Sequence, residues 1–226
     1  VASFLDRLER KADREISNTR ARVDREIAQD NQQEAALQNY FDAMAGLILD
    51  HHLKTSQPED EVRDIARIKT LTTLERLNID RKGKLIRFLS DTGLILSSEN
   101  SPAMIPLDHV NLEQVNLVKV NLQGVNLSHA NLKGACLQGA NLQDASLVHA
   151  NLQDADLGTA HDIIYGSKFL PPSFRHPTDL RRANLMDASL ERANLEHANL
   201  EGAHLARARL EGANLTGVDL TQTDLR

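Results

Sequence analysis

Leucine recurs at every fifth position over most of the C-terminal half of the chain. The first run extends from Leu107 to Leu157, and the second extends from Leu180 to Leu225. The residue two positions before each leucine is small or β-branched, and the residue between them is mostly Asn or Asp. A period of five fits neither the helical turn of 3.6 residues nor the two-residue alternation of a flat strand. It predicts short extended segments separated by turns.

These segments are expected to enclose a narrow apolar interior. Residues two apart point to the same side of an extended segment, so each leucine and the small residue before it face inward. Glycines such as Gly124, Gly134 and Gly202 lie in the last two positions of their units, where a turn is needed. Four units would close one coil, and successive coils would stack at about the 4.8 Å spacing of paired strands. A leucine-filled interior also explains why only 3% of the residues are aromatic.

The repeat from Leu107 to Leu225 resembles the pentapeptide-repeat family, whose unit is A-(D/N)-L-x-x. This resemblance implies a right-handed quadrilateral parallel β-helix over residues 107–226. Residues 1–106 show helical periodicity instead. The predicted fold class is therefore α + β, with an N-terminal helical domain (1–106) followed by a pentapeptide-repeat solenoid (107–226).

The helical domain divides into a long charged helix over residues 1–30 and a cap over residues 32–95. Apolar residues from Leu5 to Ile27 recur at intervals of three and four, which gives helix 4–30 a narrow apolar stripe. Two interpretations stay open for this stripe: a partner helix covers it, or the helix is a solvated linker. The cap helices are expected to begin near Gln32, after Ser56 and near Asp80. Their predicted buried residues are Leu37, Tyr40, Phe41, Met44, Leu47, Ile48, Val62, Ile65, Ile68, Leu71, Leu74 and Leu77.

Residues 33–95 are also similar to a segment that precedes the repeats in some bacterial pentapeptide-repeat proteins. The similarity rests on Glu34-Ala35-Ala36-Leu37, Asp60-Glu61-Val62-Arg63 and Gly93-Leu94-Ile95. Transmembrane helices often lie upstream in those relatives, whereas this chain has no run of about 20 apolar residues. We therefore expect a soluble fragment of a membrane-anchored parent, attached only through residues upstream of Val1. Its compartment stays open: the cytoplasm, or one face of a bacterial membrane.

Residues 161–177 interrupt the repeat with prolines and aromatic residues. The interval from Leu157 to Leu180 is not a multiple of five, so extra residues must loop out. Insertions in solenoids often lie on a binding face. The expected interaction residues of this loop are Ile163, Ile164, Tyr165, Phe169 and Phe174. The alternative is a tolerated insertion whose rings pack against the rod.

Three histidines, His109, His129 and His149, are spaced by one predicted coil and should form a column. Stacked imidazoles could share a metal or respond to pH, although a structural metal site normally needs four convergent ligands. The alternative is a column inherited from repeat duplication. Cys136 occupies an outward position and is interpreted as an ordinary surface thiol. The chain has no glycine-rich phosphate loop and no H-E-x-x-H motif, so no cofactor, metal or catalytic residue is predicted.

These patterns predict a non-enzymatic module for protein–protein interaction or scaffolding, with an unknown protein partner. The net charge of −6 argues against binding nucleic acid. One alternative comes from the family resemblance: a DNA mimic that inhibits or protects a type II topoisomerase. Arginines such as Arg181 and Arg182 leave residues 107–226 only slightly acidic, which weighs against it. A second alternative is an enzyme with a site at the domain junction. A second copy could also bind, through helix 4–30 or by end-to-end contact of the coils.

Overall fold

The structure, a computed structural model, describes residues 2–97, 102–161 and 175–226. It combines an N-terminal helical region with a stack of pentapeptide coils. The elements are α1 (Ala2–Leu49), a short 3-10 helix (Leu53–Thr55), α2 (Glu61–Arg76), α3 (Ile79–Asp91), β1 (Ala160–His161) and β2 (Arg175–His176). No helix in the described part of the chain is both long enough and apolar enough to cross a bilayer.

Helix α1 is a single helix of 48 residues, whereas the sequence pattern predicted a break near residue 31. The segment Asp30-Asn31-Gln32 contains neither Gly nor Pro, so no residue there has the strong cost that ends a helix. The side chains of residues 14–32 are all exposed. The C-terminal part of α1 packs against α2 and α3, so a single helix belongs to both the predicted stalk and the predicted cap.

The predicted buried face of the C-terminal part of α1 is confirmed, with Leu37, Tyr40 and Met44 at most 3% exposed. Because Tyr40 is buried, its hydroxyl needs a partner, and it lies 2.8 Å from the hydroxyl of Thr70 on α2. A second contact joins α1 to α3, where the nearly buried Arg81 pairs with Asp30 at 2.7 Å.

The predicted buried face of α2 is partly wrong. Leu74 and Leu77 are buried as predicted, but Ile65 and Ile68 are 44% and 64% exposed, and Ala66 and Thr70 turn toward the core in their place. Small side chains at 66 and 70 allow α2 to lie close to α1, and Thr70 also pairs with Tyr40. The spacing of apolar residues therefore placed the buried face correctly at Leu74 and Leu77 and wrongly at Ile65 and Ile68.

The rod is built from coils of four pentapeptide units. Away from the insertion, each parallel bridge joins a residue to the residue 20 positions later, as between Asn111 and Asn131. The bridges outside β1 and β2 are single-residue contacts, because each unit turns after three residues. The turn is closed by a hydrogen bond of the β-turn type, such as the 3.0 Å bond from Ala130 N–H to the Leu127 carbonyl. The repeat leucines from Leu107 to Leu157 and from Leu180 to Leu205 are between 0% and 3% exposed, so they fill the interior as predicted.

Helix α3 covers the open edge of the first coil. In later coils, the corresponding carbonyls accept backbone N–H groups of the preceding coil; Leu112 N–H, for example, donates to the Asn131 carbonyl at 2.8 Å. In the first coil, side chains of α3 take this role. Lys82 Nζ donates to the Asn111 carbonyl at 2.9 Å, and Ser90 Oγ donates to the Asn121 carbonyl at 2.6 Å. These bonds satisfy a strand edge that would otherwise be exposed.

The helical region and the rod share one continuous hydrophobic core. This core runs from Leu37 and Leu85 in the helices to Leu107 and onward through the coils. Gly83 lies where a Cβ atom would approach the Asn116 carbonyl to 3.0 Å, so glycine lets α3 lie close to the coil. The division at residue 106 stays a prediction, because packing continues across it.

Candidate functional site

The four sides of the rod differ in the polar side chains that they present. We name the sides in chain order, so that face 1 consists of the units 105–109, 125–129, 145–149, 183–187 and 203–207. Faces 2 to 4 follow within each coil. On face 2, Asn131 donates to Asn111 at 3.2 Å and Asn151 donates to Asn131 at 3.3 Å, which forms a ladder of amides. The side-chain Oδ1 atom of Asn131 also accepts the Lys133 N–H at 3.2 Å. The side-chain amides of face 2 therefore bond mainly to one another and to the backbone of the rod.

Face 1 carries the three histidines of the predicted column at its corner. The ring centroids of His109 and His129 lie 4.6 Å apart with an interplanar angle of 3°, and those of His129 and His149 lie 4.8 Å apart at 25°. Each of the three residues has a left-handed backbone, with φ of 62°, 60° and 57°. The column continues into the next coil, where His149 Nδ1 lies 4.0 Å from an Asp187 carboxylate oxygen.

The geometry of this column does not favour metal binding. Rings that stack face to face direct their nitrogens along parallel planes rather than toward a common point. Among the residues that the structure describes, no group of three or more His, Cys, Asp or Glu side chains could hold a metal ion. The role of His109, His129 and His149 as a site stays a prediction.

Face 1 also presents three apolar side chains in register on successive coils. Val148, Met186 and Ala206 each follow the leucine of their unit, and all three are half-buried. We call these three residues the apolar strip. The strip is not evident in the sequence, because the insertion separates Val148 from Met186 along the chain. The signal was the apolar residue after leucine, at a position that is mostly polar on other faces.

The predicted interaction residues of the loop, Ile163, Ile164, Tyr165, Phe169 and Phe174, lie outside the described residues. The base of the loop is described: β1 and β2 pair antiparallel, with Ala160 opposite His176. Bridged partners are 38 residues apart across the insertion, as between Asn141 and Asp179, instead of 20. The coils therefore stack across the insertion without a break. Because the loop leaves after face 3, its base and the histidine column lie at diagonally opposite corners.

Thr178 marks the point where the chain returns from the loop into the rod. It occupies a position that alanine holds in most units, and it is fully buried. Its hydroxyl lies 3.0 Å from Gly139 N and within 3.0 Å of the carbonyls of Leu137 and Gly158. The hydroxyl accepts from the first and donates to one of the other two, so it joins consecutive coils at the insertion.

Arginine–aspartate pairs connect consecutive coils at the corners of the rod. Arg182 donates two hydrogen bonds to Asp144, at 2.6 and 2.7 Å, and Arg192 pairs with Asp154 in the same way. Both pairs connect coils across the insertion. Hydrogen bonds from these guanidinium groups hold the pKa of Asp144 and of Asp154 below the usual range of a carboxyl. The arginines in these pairs also offset negative charge on the rod surface.

A cleft of about 340 Å³ lies where α2 and α3 meet the first coil. Arg67 donates to both carboxylate oxygens of Asp108 at 3.0 Å, and Lys82 donates to the Asn111 carbonyl. Burial lowers the pKa of Lys82. Because Arg67, Asp108 and Lys82 are engaged in holding the helices to the rod, the cleft presents no convergent acid, base and nucleophile from these groups.

A family model described as pentapeptide repeats matches the chain in 8 copies, over residues 107–144, 126–161, 178–202 and 188–226. The chain belongs to the pentapeptide-repeat proteins. Family membership implies a right-handed β-helix, and pentapeptide-repeat proteins are generally non-enzymatic structural or interaction proteins. No curated protein sequence gives a significant match.

Three solved structures illustrate the range of similar pentapeptide-repeat proteins. Rfr23 from the cyanobacterium Cyanothece 51142 is 31% identical, and the match covers 52% of this chain and 85% of that chain, with a TM-score of 0.39. A protein of the Arabidopsis thaliana thylakoid lumen is 31% identical, with coverages of 54% and 68% and a TM-score of 0.25. QnrB1, a plasmid-mediated fluoroquinolone resistance protein, is 16% identical, with coverages of 58% and 71% and a TM-score of 0.29.

Proposed function

We propose that this pentapeptide-repeat protein is a non-enzymatic scaffold that binds another protein on face 1. The observation that carries the proposal is the apolar strip. Val148, Met186 and Ala206 project at the same position of three consecutive coils, beside His149 and the Asp187 side chain. Apolar side chains bordered by polar ones are the arrangement found at protein interfaces.

The backbone behind the strip is held rigidly. Leu147 and Leu185 are fully buried beneath it, and Leu205 is 3% exposed. The backbone N–H of His149 donates to the Met186 carbonyl at 3.0 Å, which connects the coils at the strip itself. A surface that is already ordered loses little conformational entropy on binding, so even a small strip can contribute to affinity.

The surface charge argues against a DNA mimic. Such a protein needs a continuous acidic surface, whereas the Arg207 guanidinium donates two hydrogen bonds to Asp187, at 2.7 and 2.6 Å. Asp144 and Asp154 are paired in the same way. These pairs place positive charge beside the acids on three corners of the rod.

The experiment is an affinity capture from native lysate with mass-spectrometric identification, followed by direct binding of the captured protein in purified form. The baits are the whole chain, its Met186→Glu variant and its Val118→Glu variant. Val118 is the matched control, because it is half-buried and occupies the same position within a unit of face 3. Circular dichroism confirms that all three baits are folded.

We expect a protein that binds the whole chain and the Val118→Glu variant but loses at least tenfold in affinity for the Met186→Glu variant. Equal binding to both variants would show that face 1 is not the docking surface. A fourth bait without residues 162–174 tests the loop. Loss of binding with this bait alone would assign the interaction to the loop and reject the strip.

A further inference from the structure

The N-terminal part of α1 presents an apolar stripe that packs against nothing in the described part of the chain. Residues 14–30, which we call the arm, are exposed throughout. Within the arm, Ile16 is 66% exposed, Val23 is 41% exposed and Ile27 is 54% exposed. Contacts with the rest of the molecule begin near Asp30, which pairs with Arg81. The arm thus extends about 25 Å beyond the packed body, at 1.5 Å per residue.

The stripe lies on a different side of α1 from the face that packs against α2 and α3. At about 100° per residue, Ile16, Val23 and Ile27 fall within roughly 40° of one another. The packed face, centred on Tyr40 and Met44, lies about 100° around the helix from this stripe. The body of the protein therefore leaves the stripe uncovered, and two bodies could lie on opposite sides of a shared arm.

A helix of this length in water draws most of its stability from the packing of an apolar face. The stripe repeats after 11 residues, from Ile16 to Ile27, and an 11-residue period is the geometry of a nearly straight or right-handed coiled coil. We propose that the arm pairs in parallel and in register with the arm of a second copy of this chain. This proposal is independent of the function assigned to face 1.

The charges beside the stripe favour a second copy in parallel orientation. Glu15 and Arg20 lie on opposite sides of the stripe, and in a parallel pair the opposite sides of the two helices meet. Glu15 of one copy then faces Arg20 of the other, and the two-fold axis generates the same pair again. In an antiparallel pair, the side that carries Glu15 and Glu26 would face the same side of the second copy, where Arg22 already pairs with Glu26 at 3.7 Å, so the Glu15 carboxylate would meet an acid.

The first test measures the mass of the whole chain by light scattering coupled to size-exclusion chromatography. We expect a dimer, at twice the chain mass of 25.1 kDa. The variant with Ile16→Glu and Val23→Glu should be monomeric. The matched control is Ile68→Glu, a change at an equally exposed isoleucine on α2, and it should leave the dimer intact. A monomeric whole chain, or a dimer that survives the double change, would overturn the proposal.

The second test establishes the orientation of the two arms. Glu15→Arg should weaken dimerisation at least severalfold, and adding Arg20→Glu should restore it, because the pair is then reversed. In a Cys136→Ser background, Ile16→Cys and Ile27→Cys are each tested singly for oxidation to a disulfide-linked dimer. Both should cross-link in a parallel, in-register pair. Cross-linking of neither, or failure of the charge reversal to restore dimerisation, would reject the parallel arrangement.

Discussion

Replacing the buried hydroxyl of Thr178 tests its hydrogen bonds directly, because the repeat pattern and the observed contacts predict different effects on stability. Alanine holds the corresponding position in the next units, as at Ala183 and Ala188. The repeat alone therefore predicts that Thr178→Ala is neutral. The structure predicts destabilisation, because the hydroxyl accepts from Gly139 N–H and donates to the carbonyl of Leu137 or Gly158.

The magnitude follows from two buried hydrogen bonds that lose their partner. Thr178 is 0% exposed, so no water replaces its hydroxyl when it is removed. Thr178→Val keeps the volume and removes only the polar group, which should cost about 1–3 kcal/mol for buried groups left unsatisfied. The lower part of that range is favoured, because Gly139 N–H also reaches the Gly158 carbonyl at 3.3 Å. A loss of about 1–2 kcal/mol corresponds to a fall in Tm of about 2–8 °C for a chain of this size.

The assay is urea unfolding followed by circular dichroism, for the whole chain and for the Thr178→Val and Thr178→Ala variants. The midpoint should fall while the denaturant slope stays unchanged, since only the native state loses a contact. Thr216→Val is the control, because Thr216 is an exposed corner residue, and its effect should stay within about 0.5 kcal/mol. Unchanged midpoints in both Thr178 variants would refute the bridging role of the hydroxyl.

Two further predictions concern the rod interior and its corners. Leu152→Ala should lower the free energy of unfolding by about 2–5 kcal/mol, because Leu152 is 0% exposed. Leu220→Ala, at a site that is 42% exposed, should lower it by less than about 1 kcal/mol. Similar losses for the two variants in urea unfolding would contradict a filled interior. Because the pKa values of Asp144, Asp154 and Asp187 are lowered by their arginines, their contribution to stability is present above about pH 4 and is lost as the pH falls through the native pKa values. Thermal unfolding between about pH 5 and 2.5 should therefore show a falling Tm, less steeply when Arg182 and Arg192 are both changed to Gln.

The coil could be predicted from the sequence because each unit is determined locally. The leucine and the small residue before it alternate with a polar residue, and that pattern alone assigns the inward side. The same reasoning identified the buried face of α1 around Tyr40 and Met44. In both places, the residues that decide the structure lie within a few positions of one another.

The features that escaped sequence reasoning depend on contacts between distant residues. The exposed Ile65 and Ile68 follow from the close approach of α2 to α1, which small residues at 66 and 70 permit. The apolar strip was missed for a different reason. Val148 and Met186 occupy the same position on neighbouring coils, but this is evident only when the inserted residues are left out of the five-residue count. The bridge from Asn141 to Asp179 establishes the register across the insertion, and this register aligns Val148 with Met186.

The same register separates the loop from the docking surface proposed on face 1. Coils on either side of the insertion are joined by the Asp144–Arg182 and Asp154–Arg192 pairs and by the Thr178 hydroxyl, and none of these contacts uses residues 162–174. The backbone beneath Val148 and Met186 is therefore held by the rod itself. A change within residues 162–174 need not disturb face 1, because the base of the loop joins the rod at the corner diagonally opposite the histidine column. A rod of this kind can present two surfaces whose binding properties change independently, which is the physical advantage that a scaffold gains from a rigid stack of coils.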